Sequence, residues 1–232
     1  MLLLISAIAP VVIFLYIIYY KDTLKEPIHI VLKCFGGGII SIFPIVVLEM
    51  LLTEMNPFSG PFGVSLYDAF IVAGYTEELF KLVFLYLIVW KSKEFDQHYD
   101  GIIYAVFVSL GFAIVENIMY VFDNGFDVAI LRAILSVPLH GLCGVIMGYF
   151  FALARFSIYN ERQKYLLLSF FIPFIIHGLF DFLLMYMSYA TLHMAESAII
   201  VMLLTIFIIF IWRLGLNKIK DHIERDKNNR SN

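Results

Sequence analysis

The chain alternates long apolar runs with short polar breaks. Seven runs, Leu2–Tyr20, His29–Leu52, Leu66–Trp90, Gly101–Phe122, Val128–Ala154, Tyr165–Met187 and Ala198–Leu214, are each long enough to cross a hydrocarbon layer of about 30 Å as a helix. Gly36, Gly37 and Gly38 near the start of the second run, and Ser136, His140, Gly144 and Gly148 at spacing four in the fifth, mark faces where another helix can approach closely. The pattern predicts an all-α, polytopic transmembrane helix bundle of about seven helices. Residues 1–216 form a single membrane domain with a functional core at about 66–187. Residues 217–232 form a polar tail, helical at first and then loose. No internal repeat and no soluble domain is visible.

Composition narrows the class further. With 62% hydrophobic residues, 15% charged residues and a mean hydropathy of +0.89, a soluble fold of 232 residues is excluded. The net charge of −3 says less than its distribution. Lys21, Lys25 and Lys33 flank the first turn, Lys91 and Lys93 the third, and Arg155, Arg162 and Lys164 the fifth. Basic residues from Arg213 to Arg230 follow the seventh span, while the second, fourth and sixth loops contain no Lys or Arg. The positive-inside rule then places the N-terminus outside and the C-terminus in the cytoplasm. The first run lacks a positively charged flank ahead of it, so it reads as an anchor and not as a cleaved signal peptide. Cys34 and Cys143 lie inside apolar runs and read as small core residues. Nothing resembles a phosphate loop or a nucleic-acid surface.

Against this background the polar residues inside the spans stand out. The third span carries Glu77, Glu78 and Lys81, the fourth Glu116 and Asn117, the fifth His140, the sixth His177 and Asp181. A charged group at a helix centre costs roughly 2.5–3.5 kcal/mol on insertion scales. Glu77 with Lys81, and His177 with Asp181, are spaced to meet on one helix face. From a rise of about 1.5 Å per residue, Glu116 and Asp181 lie about 9 Å below the outer end of their spans, His177 about 15 Å, Glu77 about 17 Å and His140 about 18 Å. Four helices thus place acids and imidazoles in one slab between the midplane and the outer third. Each residue has a structural reading: Glu78 with Lys81 as an ion pair, Asn117 as a helix bridge, either histidine as a hydrogen-bond partner. Their concurrence at one level points to function. Glu49 and Asp68, near outer ends, read as wet; His29, His98, His193 and His222, in or beside loops, carry no signal.

Two chemistries are compatible with this set. A glutamate beside an imidazole can take a proton from water, while a second imidazole and a carboxylic acid stabilise the oxyanion at a peptide carbonyl. Alternatively, Glu116, His140, His177 and Asp181 are a reasonable zinc shell, with Glu77 or Glu78 left free as the base. The metal-free route is the preferred expectation and Zn2+ the alternative. No serine or cysteine sits in a base-and-orienter arrangement. A proton-coupled transporter or a non-enzymatic scaffold would also place such groups at the midplane.

At these residues the chain resembles the PrsW family of bacterial membrane proteases, which is grouped with the CAAX-processing and bacteriocin-processing membrane proteases. The matching pieces are Glu77-Glu78-x-x-Lys81, Phe112-x-x-x-Glu116-Asn117, His140 with Gly144 and Gly148-Tyr149, and His177-x-x-x-Asp181, spanning roughly half the chain. The resemblance implies an intramembrane endopeptidase of the bacterial plasma membrane. It implies cleavage of a single-pass, membrane-anchored anti-sigma factor near its extracytoplasmic face, so that an extracytoplasmic-function sigma factor is activated. The lipid bilayer is its setting and nucleic acid is not a partner. The resemblance also marks Glu77 as general base, and His177 and Asp181 as oxyanion or orienting groups. One departure is plain: CAAX-processing relatives carry histidine where this chain has Glu116, so His140 from the next helix is expected to take its place.

Overall fold

In the computed structural model, which describes residues 2–22 and 24–231, the chain is a helical bundle with no strand among those residues. The helices are α1 (Leu2–Lys21), α2 (Ile28–Glu54), α3 (Pro61–Tyr67), α4 (Thr76–Val89), α5 (His98–Asn124), α6 (Phe126–Ile134), α7 (Ser136–Phe156), α8 (Tyr159–Tyr189) and α9 (Met194–Ser231). A π-helical segment, Asp68–Tyr75, joins α3 to α4, so that 61–89 is one continuous rod. Helices α6 and α7 together form another, Phe126–Phe156. Seven rods therefore cross the membrane, in the register the apolar runs predict. Six helical segments have the length and apolarity to span as they stand. The third rod is the exception, being divided among α3, the π segment and α4 and carrying Glu77, Glu78 and Lys81.

At the centre lies α5, buried along most of its length between α2, α7 and α1. Its crossings are built on glycine. Gly148 of α7 lies on the backbone of Gly101 and Ile102, Gly144 lies on Val106, and Gly38 of α2 lies on the backbone of Val108. A methyl group at any of these positions would meet main chain, so the helices approach at backbone distance. The predicted stripe on the fifth span is thus the face α7 turns to α5. In the glycine run of α2, Gly37 meets Ile88 and Gly38 meets α5, while Gly36 faces open space. On the other side of the bundle Gly74, at the end of the π segment, packs against the backbone of Gly178 on α8, 3.2 Å from a Cβ position. π turns recur at functional sites, and this one delivers Glu77 and Glu78 directly opposite His177.

The two ends of the bundle differ. At the end assigned to the cytoplasm, the core is closed by Leu85, Val89, Phe95, Ile102 and Phe151, with Phe95 stacked on Phe151 at 5.8 Å and Trp90 edge-on to Phe151 at 5.2 Å. Glu26, in the turn between α1 and α2, is buried there; it accepts a hydrogen bond from the Tyr104 hydroxyl and shares one with Asp100. Burial pushes the Glu26 carboxyl up to about 7, against the pull of its bonds to Tyr104 and Asp100, and Asp22 and Asp96 push it the same way as burial.

The tail departs from expectation. Helix α9 continues to Ser231 without loosening. Asp226 accepts the backbone N–H groups of His98 and Tyr99, both at 2.8 Å, at the start of α5, where the helix dipole favours an anion. His222 is buried and stacked on Tyr149 at 4.2 Å, and the Tyr149 hydroxyl bonds Asp221 at 2.7 Å. The histidines His98 and His222, silent in the sequence, are therefore part of a polar lock between the tail, α5 and α7.

Candidate active site

The outer half of the bundle is hollow. A cavity of about 700 Å³ is lined by Glu49, Asp68, Glu77, Glu116, Arg132, His140, His177 and Asp181, with Phe112 and Phe180 among its apolar walls. It opens past Thr53, Asp123, Asn124 and Tyr189, at the ends of α2, α5 and α8 assigned to the outside. Glu49 and Asp68, read from sequence as merely wet, belong to this wall.

Lys81 organises the floor. Its side chain is fully buried, and its Nζ donates to Glu77 Oε2 and Glu78 Oε1, each at 2.9 Å. The third donor reaches His140 Nδ1 at 3.2 Å, and the Phe112 ring lies beneath at 4.4 Å. An ammonium has only donors, so Nδ1 of His140 must accept. The proton of His140 is then on Nε2, which donates to Glu116 Oε2 at 2.9 Å.

The second imidazole is held differently. His177 Nδ1 lies 2.9 Å from Glu78 Oε1 and Nε2 lies 3.2 Å from Asp181 Oδ2. Two carboxylates accept from both ring nitrogens only if the ring carries two protons or one acid keeps its own. The rings of His140 and His177 meet edge to face at 5.2 Å. Glu77 Oε2 lies between them, 3.8 Å from His177 Nε2 and 3.9 Å from His140 Nδ1.

The two glutamates occupy different environments. Glu77 lines the cavity, whereas Glu78 is fully enclosed and does not. Asn117 stands one step away, its Nδ2 donating to Ala7 O at 2.7 Å and its Oδ1 accepting from Arg132 Nε at 2.8 Å. Arg132 was missed in the sequence. It lies inside the fifth span at its outer end, contrary to a positive charge only at cytoplasmic ends, and Nη2 approaches Glu116 Oε2 to 2.8 Å. Its signal was available: Lys81 and Arg132 are the basic residues that the inside-positive pattern does not account for.

A metal ligand set can be tested on this geometry. Glu77, Glu78, His140 and His177 each offer a donor atom, and these lie within 4.8 Å of one another. This differs from the set expected from sequence. Glu116 and Asp181 sit behind the imidazoles, each on an Nε2, because α4 brings Glu77 and Glu78 to the centre. Oxygen and imidazole donors suit zinc in type. Four carboxylates here face two fixed cations, Lys81 and Arg132, and Glu78 Oε2 is buried without a partner among the described residues. Both facts fit a divalent ion. Such an ion also requires the Lys81 ammonium, which now bridges three of the four donor groups, to withdraw.

Comparison with known proteins agrees in kind. The family model described as "PrsW family intramembrane metalloprotease" matches residues 26–212. Protease PrsW of Bacillus subtilis is 40% identical over 216 residues, covering 93% of each chain. Protease PrsW of Oceanobacillus iheyensis is 36% identical, again over 93% of each. That of Clostridioides difficile is 35% identical over 95% of this chain and 91% of its own. No solved structure matches. With the buried glutamates, imidazoles and lysine meeting at the floor of an outward-opening cavity, the chain belongs to the PrsW family of intramembrane proteases, multi-pass proteins of the bacterial membrane.

Proposed function

We propose that this protease cleaves a single-pass anti-sigma factor near its extracytoplasmic face, using water activated by Glu77. The observation that carries the reading is the cavity, open at the outer helix ends and floored by Glu77, His140 and His177. A bond near the outer leaflet would reach that floor; one on the cytoplasmic side would meet the closed core.

In this reading Glu77 Oε2 takes a proton from a water as its oxygen adds to the scissile carbonyl carbon. The negative charge that develops on the carbonyl oxygen is met by the ring of His177, which Glu78 and Asp181 orient from either side. As the C–N bond breaks, the leaving amine takes the proton back from Glu77. Lys81 holds the Glu77 carboxylate in place by donating to Oε2, and Glu78 holds both Lys81 and His177 in place. Glu116 fixes the orientation of His140.

A second reading is favoured by the unpartnered Glu78 Oε2 and the excess of carboxylates. Glu77, Glu78, His140 and His177 would hold a divalent ion such as Zn2+, and Glu116 and Asp181 would orient the imidazoles from behind. The ion would supply Lewis acidity and a more acidic water.

The test is co-expression with a candidate anti-sigma factor and mass spectrometry of the products. Glu77→Gln is expected to lower cleavage by about 10²–10⁴-fold while leaving the protein folded; wild-type cleavage by that variant would refute the assignment of the base. Purified protein stripped of metal is expected to retain activity. Stoichiometric zinc, with activity lost on chelation and restored by zinc alone, would replace the metal-free mechanism with the second reading.

A further inference from the structure

We infer that Arg132 is a positioning residue for the active site: it clamps Glu116 against His140 and so holds His140 with its proton on Nε2 and its Nδ1 turned to Lys81. The inference rests on the catalytic reading above only for its effect on rate, since the arrangement itself is a property of the resting protein.

Four observations support it. First, the placement runs against topology. Every other Lys or Arg apart from Lys81 lies at a cytoplasmic helix end or in the tail, and a lone arginine near the outer face needs a specific partner. Second, the guanidinium is held on three sides and is nine-tenths buried. Nη2 lies 2.8 Å from Glu116 Oε2, Nε donates to Asn117 Oδ1 at 2.8 Å, and the Tyr120 ring lies 4.2 Å away. Third, Asn117 is itself oriented without ambiguity. Its amide nitrogen faces the Ala7 carbonyl and its oxygen faces the arginine, so α1 fixes the plane in which Arg132 must lie. Fourth, one carboxylate oxygen, Glu116 Oε2, is shared by Arg132 and by His140 Nε2 at 2.9 Å.

Together these form a chain from α6 through α5 and α7 to Lys81 on α4. If the guanidinium is removed, Glu116, which lines the cavity, keeps a single neutral donor and is free to rotate away. His140 then loses the acceptor that, together with the Lys81 donor on Nδ1, keeps its proton on Nε2. With the proton on Nδ1 the ring can no longer accept from Lys81, and the ammonium that holds Glu77 loses one of its three partners. Lysine at 132 would keep the charge beside Glu116, although not the Nε–H bond to Asn117.

The experiment uses full-length protein labelled with 15N-histidine in detergent micelles, with the His140 signals assigned by their loss in His140→Gln. The wild type is expected to show a protonated Nε2 and a bare Nδ1. Folded Arg132→Gln is expected to lose that single tautomer, and Arg132→Lys to retain it. On an anti-sigma factor substrate, Arg132→Gln is expected to lower kcat roughly 10–100-fold with KM nearly unchanged, with partial recovery in Arg132→Lys. A folded Arg132→Gln with the wild-type His140 tautomer would overturn the inference, whatever its activity. If Arg132→Gln does not fold, the apolar pair Arg132→Met with Glu116→Leu removes the charge and the acceptor together. Retention of the wild-type tautomer in that double variant would show that the Arg132–Glu116 arm does not set it and would overturn the inference equally. An altered tautomer with no cleavage of this substrate by any form, wild type included, would sustain the positioning role and count against the proposed substrate alone.

Discussion

Glu77 turns a carboxylate oxygen into the cavity, while Glu78, the next residue, is sealed behind it between Lys81 and His177. The pair therefore separates by experiment. Glu77→Gln removes the proposed base at the cavity floor and is expected to cost about 10²–10⁴-fold in rate with a smaller fall in melting temperature. Glu78→Gln strips Lys81 and His177 of a fully buried partner. It is expected to cost activity and also about 3 kcal/mol or more of stability, visible as a lower melting temperature in detergent. Equal melting temperatures for the two variants would show that burial does not distinguish them. Much of this floor was readable beforehand, because Glu77 with Lys81 and His177 with Asp181 are neighbours on one helix face by spacing alone. Arg132 on Glu116 and Asn117, and the exchange of Glu116 and Asp181 for Glu77 and Glu78 around the imidazoles, depend on how separate helices turn toward one another. No periodicity within a helix encodes that rotation.

At the scale of elements, apolar length alone located all seven rods, since a lipid layer sets helix length directly. The same rule could not foresee the π segment or the docked tail. The first is a change of pitch inside an unbroken apolar run, and the second depends on Asp226 reaching the start of α5 across the whole sequence. Nor could it foresee Glu26 beneath the α1–α2 turn. There the sign of the linkage can be worked out. The folded carboxyl binds its proton up to about 7 against an ordinary value near 4.5, so between these values the folded state holds more proton than the unfolded one. Stability from this group is greatest below about pH 4.5, falls as pH rises to about 7, and is constant above. Replacing Glu26 by glutamine, which mimics the protonated acid, is expected to raise stability at pH 8 by roughly 1–3 kcal/mol and to change little at pH 4.5. Melting curves of wild type and variant across that range check it; a constant offset between them would count against a titrating Glu26.

For the whole molecule, the decisive asymmetry is a hollow outer half over a closed inner half. It has an electrical consequence. A membrane potential falls across the part of the barrier that lacks mobile ions, and here that is the layer of Leu85, Val89, Phe95, Ile102 and Phe151. A charge carried through the full field gains about 2.3 kcal/mol per 100 mV. A proton passing between the outer solution and Glu77 travels along the open cavity and crosses almost none of that field. Although it lies near the midplane by chain count, the floor is electrically part of the exterior. In oriented proteoliposomes the cleavage rate is therefore expected to follow the pH of the outer solution and to stay within about twofold when a potassium diffusion potential of 100 mV is imposed in either direction. A rate that tracked lumenal pH, or changed tenfold with voltage, would mean that the focused field reaches Glu77. As long as the inner layer holds, the cavity floor shares the proton activity of the exterior and is insulated from the membrane potential.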